Sequence, residues 1–298
     1  MIKLSLNTTD NIQETIDGYP LSETLEVYLE PGVYVQKLRI KHNHLKLYGS
    51  KSGKTLICYN DYSYKMHEDG LLYNTFRTST VMVLGDYVEL NYLTIQNTSG
   101  SGLKIGQAVA LSLYGNHTRV INCNLMGHQD TLFLGPLPID LTERYEGFLL
   151  DEQRHTHHLF HYFETCHIEG DVDFIFGSGT ALFNQSTIVA LAKGYIAAPS
   201  TYETSLYGMI FNQCEIVSMT SETVFLARPW RDYGSTVFVN SKFTGNFAKE
   251  RYDNWDKTHY RFYEFPYIES KFSHDLKTEG MEQLKLYILD NFNCSIND

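Results

Sequence analysis

The sequence predicts an all-β solenoid of stacked turns. Three observations predict it: strands of three to five residues divided by Gly, Asn and Asp, a scarcity of helix-period segments, and a faint internal repeat. Asn184-Gln185-Ser186-Thr187-Ile188 returns 28 residues later as Asn212-Gln213-Cys214-Glu215-Ile216, and Asn240-Ser241-Lys242-Phe243 lies another 28 on. Upstream, Glu164-Thr165-Cys166-His167-Ile168 stands 20 residues before Asn184, and Asn122-Cys123-Asn124-Leu125 stands 42 before Glu164. Periods of about 20 to 30 residues suit a solenoid whose small and apolar members point inward and whose polar members face solvent along a groove. A conventional β-sandwich with coincidental internal similarity is the competing architecture.

The elements follow in chain order. Ile12 and Ile16, four apart, mark a short opening helix from Asn11 to Ile16. Val27-Tyr28-Leu29 runs into the turn signal Pro31-Gly32. Short β-rich runs then recur: Leu45 to Tyr48, Thr55 to Cys58, Val81 to Leu84, Val88 to Leu90, and Leu93 to Asn97. The 42-residue gap is too long for one turn, so a loop insertion is expected over 135–161, containing His155, His157, His158 and His161. Their spacing matches no helical zinc motif, and a polar rim beside a groove or plain surface filler are the readings kept. An aromatic-rich cap is expected from about 246, closed by a short amphipathic helix over Met281 to Leu289, all within one domain spanning 1–298.

The composition narrows the partners. With 43% hydrophobic and 14% aromatic residues the chain can bury a large core, and a net charge of −11 without a dense Lys/Arg run argues against nucleic acid. No stretch is long and apolar enough for a transmembrane helix, so no membrane partner is expected. The N-terminus has no run of signal-peptide length, which places the chain in the cytoplasm as given, or outside the cell if it is a trimmed mature form. Cys58, Cys123, Cys166, Cys214 and Cys294 are widely spaced and odd in number, which reads as buried small hydrophobes.

Four islands carry chemistry-bearing residues: Gly106 to Leu111, Gly127 to Leu132, Asp171 to Gly177 and Leu226 to Trp230. Asp173 interrupts the otherwise apolar run Val172 to Phe176, read as a strand, and a carboxylate there needs a partner. Arg228 is the candidate if successive turns stack, since a guanidinium fork would fix and ionise it. Asp130 adjoins Gln129; two carboxylates in different environments can divide acid and nucleophile roles. The amides of Gln107 and Gln129 can donate to a developing oxyanion. No Gly-X-Ser-X-Gly elbow offers a serine nucleophile. An inverting glycosidase would use the same residue types, so these residues alone leave the reaction open.

Taken together the islands resemble the motifs of the pectin methylesterases, or pectinesterases, in family order. Gln107-Ala108-Val109-Ala110-Leu111 is similar to the first glutamine motif and Gln129-Asp130-Thr131-Leu132 to the second. Asp173-Phe174-Ile175-Phe176-Gly177 is similar to the aspartate motif, and Leu226-Ala227-Arg228-Pro229-Trp230 to the arginine–tryptophan motif. Pro31 to Tyr34, Thr75 to Thr80 and Leu93 to Gly100 add support, so the likeness runs from about residue 8 to at least 245.

The resemblance implies a right-handed parallel β-helix that removes methyl esters from galacturonate units of pectin and releases methanol, without cofactor or metal. It implies Asp173 as nucleophile, Asp130 as general acid and base, Gln107 and Gln129 as oxyanion donors, and Arg228 as the group orienting Asp173. It implies substrate contact by Trp230, and by Phe76 and Phe174. The expected partner is pectin or methylated oligogalacturonides, and the expected state a monomer. The competing functions are an esterase for another acyl ester, a β-helix glycosidase or lyase, and a non-catalytic carbohydrate-binding solenoid. Three departures stand out: Ala227 where the family usually has glycine, Gln36 where glutamate is common, and a longer segment between Asp130 and Asp173. Net charge predicts preference for highly methylated substrate, unless His155 to His161 turn cationic at mildly acidic pH and attract carboxylates.

Overall fold

The fold is set by what happens at each corner. In the computed structural model, which describes residues 1–296, non-glycine residues with positive φ recur once per turn: Tyr92, Asn122, Thr165, Gln185, Gln213 and Asn240, all between +49° and +55°. The left-handed conformation turns an extended chain sharply, and short polar side chains tolerate it best. The residue after each corner points inward. By strand register Cys123, Cys166, Ser186, Cys214 and Ser241 fall in one column. The repeated Asn/Gln-small pattern is thus a left-handed corner followed by a residue small enough to fit inside it.

Between corners the chain runs through three parallel sheets of eleven, eight and seven strands, visiting them cyclically. The result is a right-handed parallel β-helix. Strands such as Phe160–Glu164, Thr180–Asn184, Met209–Asn212 and Ser235–Val239 lie side by side in the eleven-stranded sheet. Identical register stacks like on like: Phe163, Phe183, Phe211 and Phe238 form a column of rings 4.5–4.7 Å apart and within 16° of parallel. That separation is close to the strand spacing, so each ring covers the face of the next without distorting the sheet. All five cysteines are free; Cys123, Cys166 and Cys214 lie in the core, Cys58 is buried outside it, and Cys294 is half-buried.

The opening helix α1 is Ile12–Asp17, capped by Asn11, with Ile12 and Ile16 buried at the mouth of the solenoid. Gln36 secures it: its Oε1 accepts from Ile12 N at 2.9 Å and its Nε2 donates to Asp10 O at 2.8 Å. A glutamate has no Nε2 donor, so the glutamine suits this clasp. A short helix α2, Gly102–Ile105, and a further one, α3, Ile139–Arg144, are excursions from the coil. At the other end the eleven-stranded sheet continues through Arg261–Phe265 and His274–Asp275, beyond the point where the cap is expected to begin. Helix α4, Lys277–Phe292, is longer than predicted and buries Met281, Leu284, Ile288 and Phe292 against that sheet's outer face.

The seven-stranded sheet positions the site. Alternate residues of its strands face opposite ways. Leu111, Leu132, Ile175 and Ala197 enter the main core, whereas Met82, Phe133, Phe176 and Ala198 face out into a second apolar cluster with Phe76, Leu137 and Leu141. That second cluster forms the floor under a cleft.

The ring column generates a stability prediction. Phe211 is fully buried with a ring on each face, so Phe211→Ala removes a large side chain that the rigid strands cannot collapse around. We expect a loss of about 3–5 kcal/mol in urea unfolding; a loss below 1 kcal/mol would mean the column does not hold the turns together.

Candidate active site

Gln107 follows Gly106, whose φ of +73° is left-handed. A Cβ at Gly106 would lie 2.2 Å from Ser63 Oγ. That close approach lets Ser63 hold Gln107 from both sides: Gln107 N donates to Ser63 Oγ at 3.0 Å, and Ser63 N donates to Gln107 O at 2.9 Å. Gln129 lies against Gly102 of α2, where an added Cβ would sit 2.3 Å from its Oε1. Among the described residues neither amide has a protein hydrogen-bond partner, and both line the cleft.

Asp130 and Asp173 share an unusual backbone, with φ of +64° and +50°. Each sits two residues before a strand, Leu132–Leu134 and Ile175–Gly177, and those strands pair Leu132 with Ile175. The two aspartates therefore hold the same position on adjacent turns, one rung of about 4.8 Å apart. Asp130 N donates to Val172 O at 3.1 Å, which fixes that register. Beside them His128 Nδ1 lies 3.0 Å from Asp171 Oδ2, tying the same two turns together; this bond pushes His128 up from its usual pKa.

Arg228 completes the centre. Its Nε donates to Asp173 Oδ1 at 2.9 Å and its Nη2 to Oδ2 at 2.6 Å. The guanidinium is sandwiched, 4.1 Å from the Tyr195 ring centroid and 3.9 Å from that of Trp255. Asp253 ties both plates, accepting from Tyr195 Oη at 3.0 Å and from Trp255 N at 2.7 Å. The methyl of Ala227 is fully buried in the core, and Arg228 N still donates to Ala197 O at 3.0 Å, so this departure leaves the arginine in place.

The two carboxyls are electrostatically unequal. Burial and the neighbouring Asp173 charge push Asp130 well above the usual carboxylate range. Burial also raises Asp173, but the Arg228 fork opposes it. Between the two, Asp173 ionises first and Asp130 keeps its proton. The arrangement sets an ionised carboxylate, a carboxylic acid and two unengaged amides around one cleft of ≈ 510 Å³.

The family model described as Pectinesterase matches residues 6–136 and 149–272. The chain belongs to the pectinesterase family. It is 28% identical over 255 residues to "Pectinesterase 31" of Arabidopsis thaliana, covering 82% of this chain and 73% of that protein. It is 30% identical over 240 residues to "Pectinesterase QRT1" of Arabidopsis thaliana, covering 77% of this chain but 57% of the relative. Among solved structures, the pectin methylesterase from Yersinia enterocolitica superposes with a TM-score of 0.74 at 25% identity, over 93% of this chain and 97% of that one. PemA from Erwinia chrysanthemi superposes at 0.73 with 24% identity over 94% of each chain, a likeness of fold.

In this pectinesterase the cleft gathers Gln107, Gln129, Asp130, Asp173, Arg228, Phe76 and Trp230. Trp230 N donates to Pro199 O at 2.8 Å, and its ring meets Phe176 edge-on at 5.7 Å. Three expectations need correction. Phe174 is fully buried in the core and does not reach the cleft, because it alternates inward beside Asp173; a Cβ at Gly170 would lie 2.3 Å from its Cβ. Asp173 is not within a strand over Val172 to Phe176, since its left-handed φ confines the extended run to Ile175–Gly177. His155, His158 and His161 face protein oxygens rather than forming a cationic rim. His155 Nε2 lies 2.7 Å from Tyr114 O, His158 Nε2 lies 2.6 Å from Thr180 Oγ1, and His161 Nε2 lies 3.3 Å from Gly135 O. Burial lowers all three, His161 to about 3, which works against their turning cationic in mild acid.

The sequence reading missed Trp255, Tyr195 and Asp253. Trp255 is one of two tryptophans and stands in a polar stretch, Asp253 to Lys257, which was a signal that it serves a surface. The reading also missed Leu141, Arg144, Tyr145 and Arg231, which line the same cleft.

Two predictions follow from the charges. Removing Arg228 takes away the cation that opposes both rises, so both carboxyl pKa values go up. Arg228→Ala should lower kcat/KM by roughly 10²-fold or more and move the whole pH–rate profile to higher pH; Arg228→Lys should move it less. An unmoved acid limb in Arg228→Ala would separate Arg228 from the ionisation of Asp173. The second concerns stability. Asp130 is neutral when folded and ionised when unfolded above its ordinary pKa, so its stabilising contribution is full below about 3.9 and is lost as pH rises toward the folded value. Asp130→Asn removes that loss. It should melt higher than the wild type at pH 7, by roughly 2–4 °C per kcal/mol relieved, with the gain vanishing near pH 4; an equal gain at both pH values would contradict a neutral Asp130.

Proposed function

We propose that this protein is a pectin methylesterase that hydrolyses galacturonate methyl esters through an acyl-enzyme on Asp173. The observation that carries the reading is the pair of carboxyls one rung apart, one held in the Arg228 fork and the other buried without a partner side chain among the described residues, facing two unengaged amides.

An Asp173 oxygen attacks the ester carbonyl carbon, and the carbonyl oxygen takes the negative charge. Gln107 and Gln129 donate to it. As the tetrahedral species collapses, the bond to methoxide breaks and the Asp130 proton passes to that oxygen, releasing methanol. Asp173 is left joined to the substrate acyl group as a mixed anhydride. Asp130, now ionised, takes a proton from water as the water oxygen attacks the substrate acyl carbon. Collapse expels the Asp173 carboxylate and frees the galacturonate carboxyl, and Asp130 is protonated again. A carboxylate is a weak nucleophile, so placement by the Arg228 fork and the two aromatic plates supplies much of the rate.

The donor set favours this reaction over glycoside cleavage. A glycosidase passes through a cation-like transition state, whereas two amides together with a nearby guanidinium favour developing negative charge.

The test is methanol release and chain length followed together on highly methylated pectin. Wild-type enzyme should release methanol without shortening chains. Asp173→Asn, nearly isosteric, should retain the fold by circular dichroism and lose on the order of 10⁴-fold or more in turnover. Near-normal methanol release by that variant removes Asp173 as nucleophile; new reducing ends without methanol would replace the esterase reading with a glycosidase.

A further inference from the structure

Away from the catalytic cleft the solenoid carries a second hollow of the same size, ≈ 510 Å³. The strand Asn124–Met126 relates the two: Asn124 at its start lines the hollow, whereas Gln129 and Asp130, beyond its end, line the cleft. Asp130 is six residues past Asn124, at most about 20 Å along the chain. One wall of the hollow is the loop 50–54, and its backbone is pinned. Gly49 N donates to Asn91 O at 2.8 Å, and a Cβ at Gly49 would sit 2.2 Å from Tyr92 O. Ser50 N donates to Thr55 Oγ1 at 3.0 Å, and a Cβ at Gly53 would come within 2.9 Å of Pro31. Lys51 and Lys54 are thereby held beside the left-handed corners at Tyr92 and Asn122. The floor is a column fixed by parallel register, with Thr94, Asn124 and His167 on successive rungs.

Donors line this hollow, and no Asp or Glu does. Lys51 Nζ rests 4.7 Å from the Tyr92 ring centroid, and neither Lys51 nor Lys54 has an anionic partner among the described residues. Glu169, on the strand of His167, is held by His167 Nε2 at 2.9 Å. The side-chain amide of Asn122 is uncommitted among the described residues, and Asn124 Nδ2 reaches Thr94 Oγ1 at 3.3 Å. Tyr92 and Met126 place apolar surface between these groups. The ammonium groups suit carboxylates, the amides suit hydroxyls, and the tyrosine ring suits sugar C–H surface. A chain of net charge −11 repels a polyanion over most of its surface, and the two lysines reverse that locally. A polymer bearing a carboxylate and hydroxyls on each unit meets both kinds of donor.

We propose that this hollow is a second, non-catalytic site for demethylated galacturonan, holding the product stretch of a polymer whose methylated stretch lies in the cleft. The inference rests on the pectin methylesterase reading, under which each turnover adds a carboxylate to the polymer. An exposed ammonium–carboxylate contact is weak by itself. The hollow therefore acts by tethering: a polymer held there stays at high local concentration at the cleft.

The experiment uses the double variant Lys51→Gln/Lys54→Gln, which changes two exposed loop side chains. Methanol release is measured on long pectin of intermediate methylation and on a fully methylated trimer, which is short and carries no methylatable carboxylate in free form. On pectin the variant should raise KM by about three- to tenfold with kcat unchanged, and on the trimer it should match the wild type. Added salt should raise the wild-type KM on pectin toward that of the variant. Titration with fully demethylated oligogalacturonate should shift the His167 and Asn122 NMR signals in wild type and leave them in place in the variant. Polyglutamate of equal length, which has carboxylates but no hydroxyls, should shift them less. An unchanged KM on pectin, or an equal rise on the trimer, overturns the proposal while methanol release keeps the esterase reading standing. Equal shifts with polyglutamate mark a general anion patch and overturn the saccharide assignment. Absence of methanol from both substrates with wild-type enzyme defeats the esterase reading instead, and the His167 and Asn122 signals then show separately whether the hollow takes the polymer.

Discussion

Parallel register between adjacent turns is the constraint from which the rest follows. Once Leu132 pairs with Ile175, Asp130 must lie over Asp173, although 43 residues separate them in the chain. The left-handed φ at both aspartates makes the same bend at the same height, so their carboxyls leave the coil at the same place. A solenoid thereby places two like groups about 4.8 Å apart by the spacing of its strands alone. In a fold without this repetition, two separate loops would have to be held in mutual position by side-chain packing.

Proximity alone would give two carboxyls that resist ionising, and the surrounding charges resolve that into two roles. Arg228 is committed to Asp173 through both of its carboxylate oxygens, while no side chain is bonded to the Asp130 carboxyl among the described residues. Burial acts on both, and the cation is bonded to one. The plates of Tyr195 and Trp255 deny Arg228 other orientations, and Asp253 aligns the plates. The asymmetry needed for an acid and a nucleophile thus depends in part on Asp253 and Trp255, which come well after the last catalytic strand, and the backbone there is tied to Ala227 by Asp253 N donating to Ala227 O at 3.0 Å.

How much of this was legible in the sequence differs by type of feature. The solenoid was legible because its corners impose a residue pattern: an Asn or Gln that accepts a left-handed φ, then Cys or Ser. The competing sandwich could not be dismissed from that pattern alone, since short strands and turns occur in both. Asp173 was legible as a polar interruption of an apolar run, Arg228 as the cation such a carboxylate needs, and Asp130 as a second carboxylate beside Gln129. Phe174 was given a substrate contact by resemblance alone, whereas successive residues alternate and send it to the core. Trp255 was hidden because a clamp made across turns leaves no local periodicity. The histidines misled because spacing does not reveal burial; each of His155, His158 and His161 satisfies one neighbouring oxygen inside the wall.

The same distinction separates chemistry from selectivity in this molecule. The strands that adjoin Asp130, Asp173 and Arg228 are bound to their neighbours by register, so the geometry of these residues cannot drift far without unravelling a turn. The excursion over 137–148 is bound to the coil by side chains: Leu137 and Leu141 in an apolar pocket, and one ion pair from Arg231 to Asp140. It can vary in length and charge without disturbing a rung. Arg231 directly follows Trp230, so the residue that grips the excursion is fixed by the same strand that sets Arg228. The wall is therefore adjustable in what it presents to substrate, yet referenced to the catalytic centre through a chain of two residues.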